Sequence, residues 1–264
     1  MRGARRTVVI VAFLAALAVA AVPTVAVAGS VTDQVIRRLN RQLLYLAVPI
    51  AVLVEAILAY TVWRFRDNDE PEPTKENRQL EITWTIATAL VLLFVGTASF
   101  YVLAQPTVST VLDDPESNAE PGNAPEDAVE AHIVTEQWNY TFEYPEENVT
   151  TSESLVLPEN RTAYLYITSE DVIHSVHVPE LGLKQDALPG QYNLLRTEPT
   201  EQGEYRLYCA ELCGRGHPEM LSTVRVVSED EYERWLENPE SALNESESNE
   251  SSANGSAIDG GTDP

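Results

Sequence analysis

A helical membrane hairpin followed by an all-β Greek-key domain is the architecture that this 264-residue sequence predicts. Three observations carry the expectation. Two apolar runs, Leu43 to Trp63 and Ile82 to Ala104, are each long enough to cross a bilayer. From Ala131 onward the pattern changes to short β-rich runs divided by turn residues. Near the end of those runs, Cys209-Ala-Glu-Leu-Cys213-Gly-Arg-Gly-His217-Pro-Glu-Met220 gathers both cysteines of the chain, one of its four histidines and one of its two methionines. Thiolate, imidazole and thioether donors are soft ligands, and methionine beside cysteine and histidine tilts the choice of metal toward copper.

The elements follow in order. Residues 1–28 read as a secretory signal: Arg2, Arg5 and Arg6 open it, an apolar run follows, and Ala26-Val-Ala28 offers a small-residue cleavage site. Residues 29–42 form an external N-terminal segment of amphipathic pattern, with Arg37, Arg38 and Arg41 ahead of the first span. Residues 43–104 are the transmembrane hairpin, and 64–79 are its acidic, proline-containing connecting loop. Arginines flank both sides of the first span, so charge alone does not orient the hairpin. Glu55 lies inside that span, where a carboxylate is costly and faces protein. Residues 105–130 are a polar linker.

Between 131 and 238 the strand-like runs are His132–Tyr144, Ser154–Leu157, Thr162–Thr168, Val172–Val178, Tyr192–Thr197, Gly203–Tyr208 and Leu221–Val227. A short helix, Glu229–Glu237, closes the domain. About 100 residues suffice for one core without disulfide support. Residues 239–264 are acidic, rich in Ser, Asn and Gly, and read as a disordered tail.

The chain carries 41 acidic and 17 basic residues, for a net charge of −24. From Gln105 onward 33 acids face 7 bases, which excludes nucleic acid as a partner. Lys75 and Lys184 are the only lysines. An acid-rich, lysine-poor surface suits high salt, where screening removes self-repulsion, and points to a halophilic, archaeal source. Six glycosylation sequons, at Asn139, Asn148, Asn160, Asn244, Asn249 and Asn254, all follow the second span, in keeping with an external domain. Asn139 falls in a strand and is the poorest acceptor of the six.

A structural disulfide or a thiol redox pair would leave the histidine and methionine spacing of the cysteine loop unexplained. A mononuclear blue copper site uses a single cysteine. Two cysteines four positions apart can instead bridge two copper ions, each then needing an imidazole and a weak axial donor. His174, in Asp171-Val-Ile-His-Ser-Val-His-Val-Pro179, is placed to bring the second imidazole. His177, three residues on, points to the opposite face of a strand, and His132 has no supporting context.

The segment DVIHSVHVPELGLKQDALPGQYNLL (Asp171 to Leu195), followed by CAELCGRGHPEM, resembles subunit II of the haem-copper cytochrome c oxidases, over roughly residues 40 to 235. The resemblance implies a cupredoxin fold and a dinuclear CuA centre bridged by Cys209 and Cys213. His174 and Met220 would complete one copper; His217 and the backbone carbonyl of Glu211 would complete the other. It gives the Glu211 side chain a Mg2+ or Mn2+ ion shared with subunit I; without it, Glu211 reads as one more solvent-facing acid. Trp138, in a Gln-Trp context, would be where electrons enter, although Asn139 and Tyr140 stand where the family more often has aromatic rings. Packing of alternate aromatics is the plain alternative for Tyr140 and Phe142.

Glu81, in an E-x-x-W segment, would lie at the mouth of a proton-uptake path; a helix N-terminal acid favoured by the macrodipole is the simpler reading. The implied partners are oxidase subunits I and III, the lipid bilayer, and cytochrome c or a small blue copper protein as donor, with the copper domain on the external face of the cell membrane. The complex would reduce O2 to water with proton translocation. The rival readings are a membrane-anchored copper electron-transfer protein, or a copper chaperone, outside any oxidase complex.

Overall fold

The computed structural model describes residues 29–70, 73, 75–108 and 120–239. The expected leader, the middle of the linker and the tail beyond residue 239 lie outside the described residues. The chain divides into two compact units, one holding Val35–Leu103 and the other holding residues 29–34 together with the chain from Ala104 onward.

In the helical unit, α1 spans Val31–Phe65 and α2 spans Arg78–Leu103. Both are long and apolar enough to cross a membrane. The 26 residues of α2 reach about 39 Å at ~1.5 Å per residue, against a hydrocarbon core of ~30 Å. Leu53, Ile57 and Leu58 of α1 and Leu90, Leu92 and Leu93 of α2 are exposed, as lipid-facing side chains should be.

Both helices begin earlier than the apolar runs suggest, because caps rather than hydropathy set their starts. Ser30 Oγ accepts the Asp33 N–H at 3.1 Å, so residues 31–42 are the first turns of α1 and not a separate segment. Asn77 Oδ1 accepts the Leu80 N–H at 3.1 Å and starts α2 at Arg78, which places Glu81 in its first turn.

The β unit is a sandwich of two five-stranded sheets. One has the order β3-β2-β1-β5-β8, built from β1 (Val129–Glu136), β2 (Asn139–Tyr144), β3 (Val149–Thr151), β5 (Ala163–Ser169) and β8 (Asn193–Thr197). The other has the order β4-β10-β9-β6-β7, built from β4 (Ser154–Pro158), β6 (His174–Val178), β7 (Leu183–Ala187), β9 (Gly203–Tyr208) and β10 (Leu221–Val227). The pairs β1–β5 and β4–β10 are parallel and the rest antiparallel, which gives the crossed connectivity of a Greek key.

Period-two alternation sets the faces. Val129, Ala131 and Ile133 of β1 are buried with Leu165 and Ile167 of β5, Val176 and Val178 of β6, and Val224 and Val226 of β10. The run His132–Tyr144, expected as one strand, is a β1–β2 hairpin with Gln137 and Trp138 at its turn. The strand expected from Val172 starts only at His174, because Asp171 turns the chain just before it. Two short strands, β3 and β7, were not expected.

At the far end α3 (Glu229–Glu237) is capped by Ser228, whose side chain accepts the Glu231 N–H. It buries Tyr232 and Trp235 against Tyr144, the Trp235 and Tyr144 rings meeting edge-on at 5.0 Å.

Residues 29–33 are stitched into this unit. Ser30 Oγ donates to the Leu181 carbonyl at 2.6 Å, Val31 N–H donates to Glu198, and the Gly29 carbonyl accepts from Thr200 N–H. Ser30 is fully buried, and its hydroxyl both caps the helix start and bonds the Leu181 carbonyl. Ser30→Ala is therefore expected to destabilise the β unit by about 1–2 kcal/mol, read as a lowered unfolding midpoint of the full chain in detergent.

Candidate metal centre

Strands β9 and β10 pair as far as Tyr208 and Leu221, and the loop between them is closed by the Cys209 N–H donating to the Met220 carbonyl at 3.2 Å. Within the loop, Pro218 lies in a 3-10 turn spanning His217–Glu219 and fixes its start. His174 opens β6, which pairs with β9 through His177 and Tyr208. One sheet thus supplies both parts of the site.

The donor atoms converge. Cys209 Sγ and Cys213 Sγ are 3.8 Å apart, both free and buried. That separation is far beyond the ~2.05 Å of a disulfide and suits two sulfurs facing each other across a metal pair. His174 Nδ1 lies 3.2 Å from Met220 Sδ, and Cys213 Sγ lies 3.8 Å from the same sulfur. His217 Nδ1 is 3.6 Å from Cys213 Sγ. The Glu211 carbonyl accepts from Cys209 Sγ at 3.2 Å. The ligand atoms of His174, Cys209 and Cys213 all lie within 4.8 Å of one another. Two thiols, two imidazoles, a thioether and a carbonyl around one point form a soft set that fits copper.

Burial pushes the Cys213 thiol up to about 11, with Cys209 and Asp171 adding to the shift. The metal-free thiol is protonated at neutral pH, so loading with metal must release that proton. Tyr140, buried beneath the cysteines, is raised well above its ordinary value, chiefly by desolvation and then by the two sulfurs; its hydroxyl donates to the Ser175 carbonyl. It is a core residue under the site.

Asp171, which the family resemblance assigns with Glu170 to the docking of a basic donor, has a second role that the sequence did not disclose. Its Oδ1 meets His174 Nε2 at 2.8 Å and accepts the Val172 N–H at 2.6 Å, and its Oδ2 accepts the Gln137 N–H at 2.8 Å. Burial raises this carboxyl, but the bonds from His174, Val172 and Gln137 outweigh burial and hold it below the usual carboxylate range. With Nε2–H given to Asp171, His174 keeps Nδ1 as the lone pair that faces the sulfurs. Gln137 completes the tie, its Nε2 donating to the Cys213 carbonyl at 2.6 Å. An aspartate three residues ahead of a histidine was the available signal.

The other sequence-selected residues fall as follows. Trp138 stands on the rim, 42% exposed, its ring against Gly214 and Gly216. The Glu211 side chain is half-exposed, with Lys184 Nζ 3.8 Å away. Leu212, between Glu211 and the second cysteine, is 84% exposed. His177 faces away from the cluster, packs on Tyr208 at 4.8 Å, and is lowered by burial and by Lys184. His132 pairs with buried Glu130 at 2.9 Å on β1 and is not part of the cluster. Glu81 belongs to the helical unit.

Two family models match the chain, the cytochrome c oxidase subunit II transmembrane domain over residues 18–102 and the cytochrome c oxidase subunit II periplasmic domain over residues 147–227. Cytochrome c oxidase subunit 2 of Cereibacter sphaeroides is 29% identical over 246 residues, covering 78% of this chain and 76% of that protein. A probable cytochrome c oxidase subunit 2 of Rickettsia bellii is 30% identical over 217 residues, covering 74% and 75%. Among solved structures, the periplasmic domain of subunit II of cytochrome oxidase from Bradyrhizobium japonicum aligns with a TM-score of 0.41 at 27% identity, over 43% of this chain and 94% of that one.

The hydrogen bonds of Asp171 generate a test. Residues that orient a ligating imidazole typically contribute ~10–100-fold to metal affinity. Asp171→Ala is expected to weaken copper binding by about that factor in a competition titration against a chelator, while Asp171→Asn, which keeps one acceptor oxygen, should lose less.

Proposed function

We propose that this chain, which belongs to the cytochrome c oxidase subunit II family, is the membrane-anchored electron-accepting subunit of a haem-copper oxidase. The observation that carries the reading is the convergence of Cys209, Cys213, His174, His217, Met220 and the Glu211 carbonyl at one point in the β unit. When bound there, a mixed-valence copper pair supplies one-electron storage with little change in bond lengths.

The protein's own contribution is to hold the donors still. Cys209 and Cys213 would bridge; His174 and Met220 would serve one ion, and His217 and the Glu211 carbonyl the other. Asp171 fixes the tautomer of His174, and the closed β9–β10 loop keeps the donors in one arrangement before and after an electron arrives. Burial of both cysteines keeps water from the sulfurs.

Electrons would enter at Trp138 from an external donor, cytochrome c or a small blue copper protein, and leave toward haem in subunit I, where O2 is reduced to water. The oxidoreductase activity belongs to that complex, with subunit III as a further partner. The Glu211 carboxylate is a hard oxygen donor and would reach a Mg2+ or Mn2+ ion shared with subunit I. The neighbouring exposed Leu212 supports a protein contact on that side. With the copper domain on the outer face of the cell membrane, where its donor would be, the 64–79 loop would lie in the cytoplasm, and Glu81, at the start of α2, would collect protons for uptake there.

The experiment is to load the purified full chain with copper and record its EPR and visible spectra. A dinuclear site should bind about two copper ions per chain and show hyperfine lines from an electron shared by both. A single ion with a mononuclear spectrum would refute the reading. Cys213→Ser should collapse the shared signal, since one bridge does not hold both ions. For the donor, stopped-flow reduction by a basic cytochrome c should slow as salt rises, whereas an acidic copper protein should be insensitive to salt or faster.

A further inference from the structure

Gly214-Arg215-Gly216 lies directly under the Trp138 indole, and its two glycines have different reasons to be glycine. Gly214 has φ +123°, a backbone conformation that side chains disfavour. Gly216 has φ −88° and ψ 5°, open to any residue. Space alone explains Gly216. A Cβ there would stand 2.6 Å from Trp138 Cε3 and 2.8 Å from Cε2, and the nearest atoms it would meet all belong to that indole. At Gly214 a Cβ would stand 3.5 Å from Trp138 Cζ2 and Nε1, so the ring lies across the backbone of both glycines. The outer side of the ring stays exposed. Gly216 is followed by His217, whose Nδ1 faces Cys213 Sγ.

We infer that Gly216 is a positioning residue for electron entry: the absence of a side chain seats the Trp138 indole flat on the loop, one residue from the ligand His217. This rests on the reading of Trp138 as the entry point. One electron leaves the reduced metal centre of the donor protein, which is oxidised by one unit, and passes through the indole contact to the copper pair, which is reduced by one unit. No bond is made or broken and no proton moves at Trp138. A Cβ at 216 lifts the ring from the backbone and opens a gap in that path, while every donor atom keeps its place.

The test compares Gly216→Ala, Gly216→Ser, Trp138→Phe and the double variant Trp138→Phe/Gly216→Ala in the full chain. In the copper-free protein, Trp138 emission is isolated by subtracting the Trp138→Phe spectrum from that of the four-tryptophan chain. Acrylamide should quench it more readily in Gly216→Ala. In the assembled oxidase, Gly216→Ala should retain the wild-type copper EPR signal yet lose rate in accepting electrons from the protein donor, because transfer weakens steeply as the contact between ring and backbone opens. Gly216→Ser should do the same. In the Trp138→Phe background the alanine should add much less, because the smaller ring leaves room for it.

Wild-type quenching, or a wild-type rate in Gly216→Ala while Trp138→Phe is slow, overturns the seat and leaves the entry point standing. A wild-type rate in Trp138→Phe overturns both. A changed copper EPR signal in both Gly216 variants overturns the seat as well, because the glycine would then be serving the metal ligands.

Discussion

The chain leaves β9 after Tyr208 and returns to β10 at Leu221, and the Cys209–Met220 backbone bond makes the two ends of that excursion neighbours. The donor cluster depends on this closure. It brings the Met220 sulfur back to the cysteines from which the loop departed, and the 3-10 turn at His217–Glu219 swings an imidazole between them. Because β9 also pairs with β6, the same ladder fixes where His174 begins its strand. A slip of one residue between β9 and β10 would turn Met220 to the other face and dissolve the site. The ten strands described are, in this respect, a frame for one loop.

A buried thiol pair is an awkward thing for such a frame to hold. Cys209 and Cys213 are both buried, and burial raises the Cys213 thiol to about 11. The fold accepts this because a neutral thiol packs as a small apolar group. Met220 and Tyr140, both fully buried, complete the packing around the sulfurs. Order comes from outside the donor cluster, through Asp171 and Gln137, which tie the β6 entry, the β1–β2 turn and the Cys213 carbonyl into one hydrogen-bonded rim. These bonds stand without any metal, and fixing the donors in this way would suit a group that changes charge without changing shape.

The sequence made the donor cluster legible because soft donors are rare in this chain and their spacing is a chemical statement. It made β9, β10 and α3 legible because their apolar alternation and the Ser228 cap are local signals. The helices extend beyond the apolar spans because hydropathy reports where lipid begins and caps report where hydrogen bonding begins; Ser30 and Asn77 decide the second question. The β1–β2 hairpin was read as one strand because its turn is made by Gln137 and Trp138, neither a turn former, held in place by bonds to Asp171 and Cys213 from distant parts of the chain. Gly216 was invisible as a contributor for the same reason, since Trp138 is 78 positions away in sequence. Asp171 left a local signal, its spacing from His174, but its tie to Gln137, 34 positions away, shows only in the folded rim.

The charge of the β unit sharpens what the rim must do. With 33 acids against 7 bases from Gln105 onward, the unit attracts cationic partners at a distance in dilute salt. At 0.1 M salt the screening length is already ~10 Å, and near 1 M it is ~3 Å, about one atomic contact. At the higher of these concentrations little of that field would reach an approaching partner. What remains is contact chemistry, and the rim offers exposed Trp138, Val172 and Ile173, joined through Asp171. Screened charges leave the encounter rate of a partner unsteered, and how long it stays is set by short-range contact. If electrons enter at Trp138 as proposed, the seating of its ring on Gly214 and Gly216 would then matter more than further acids around it.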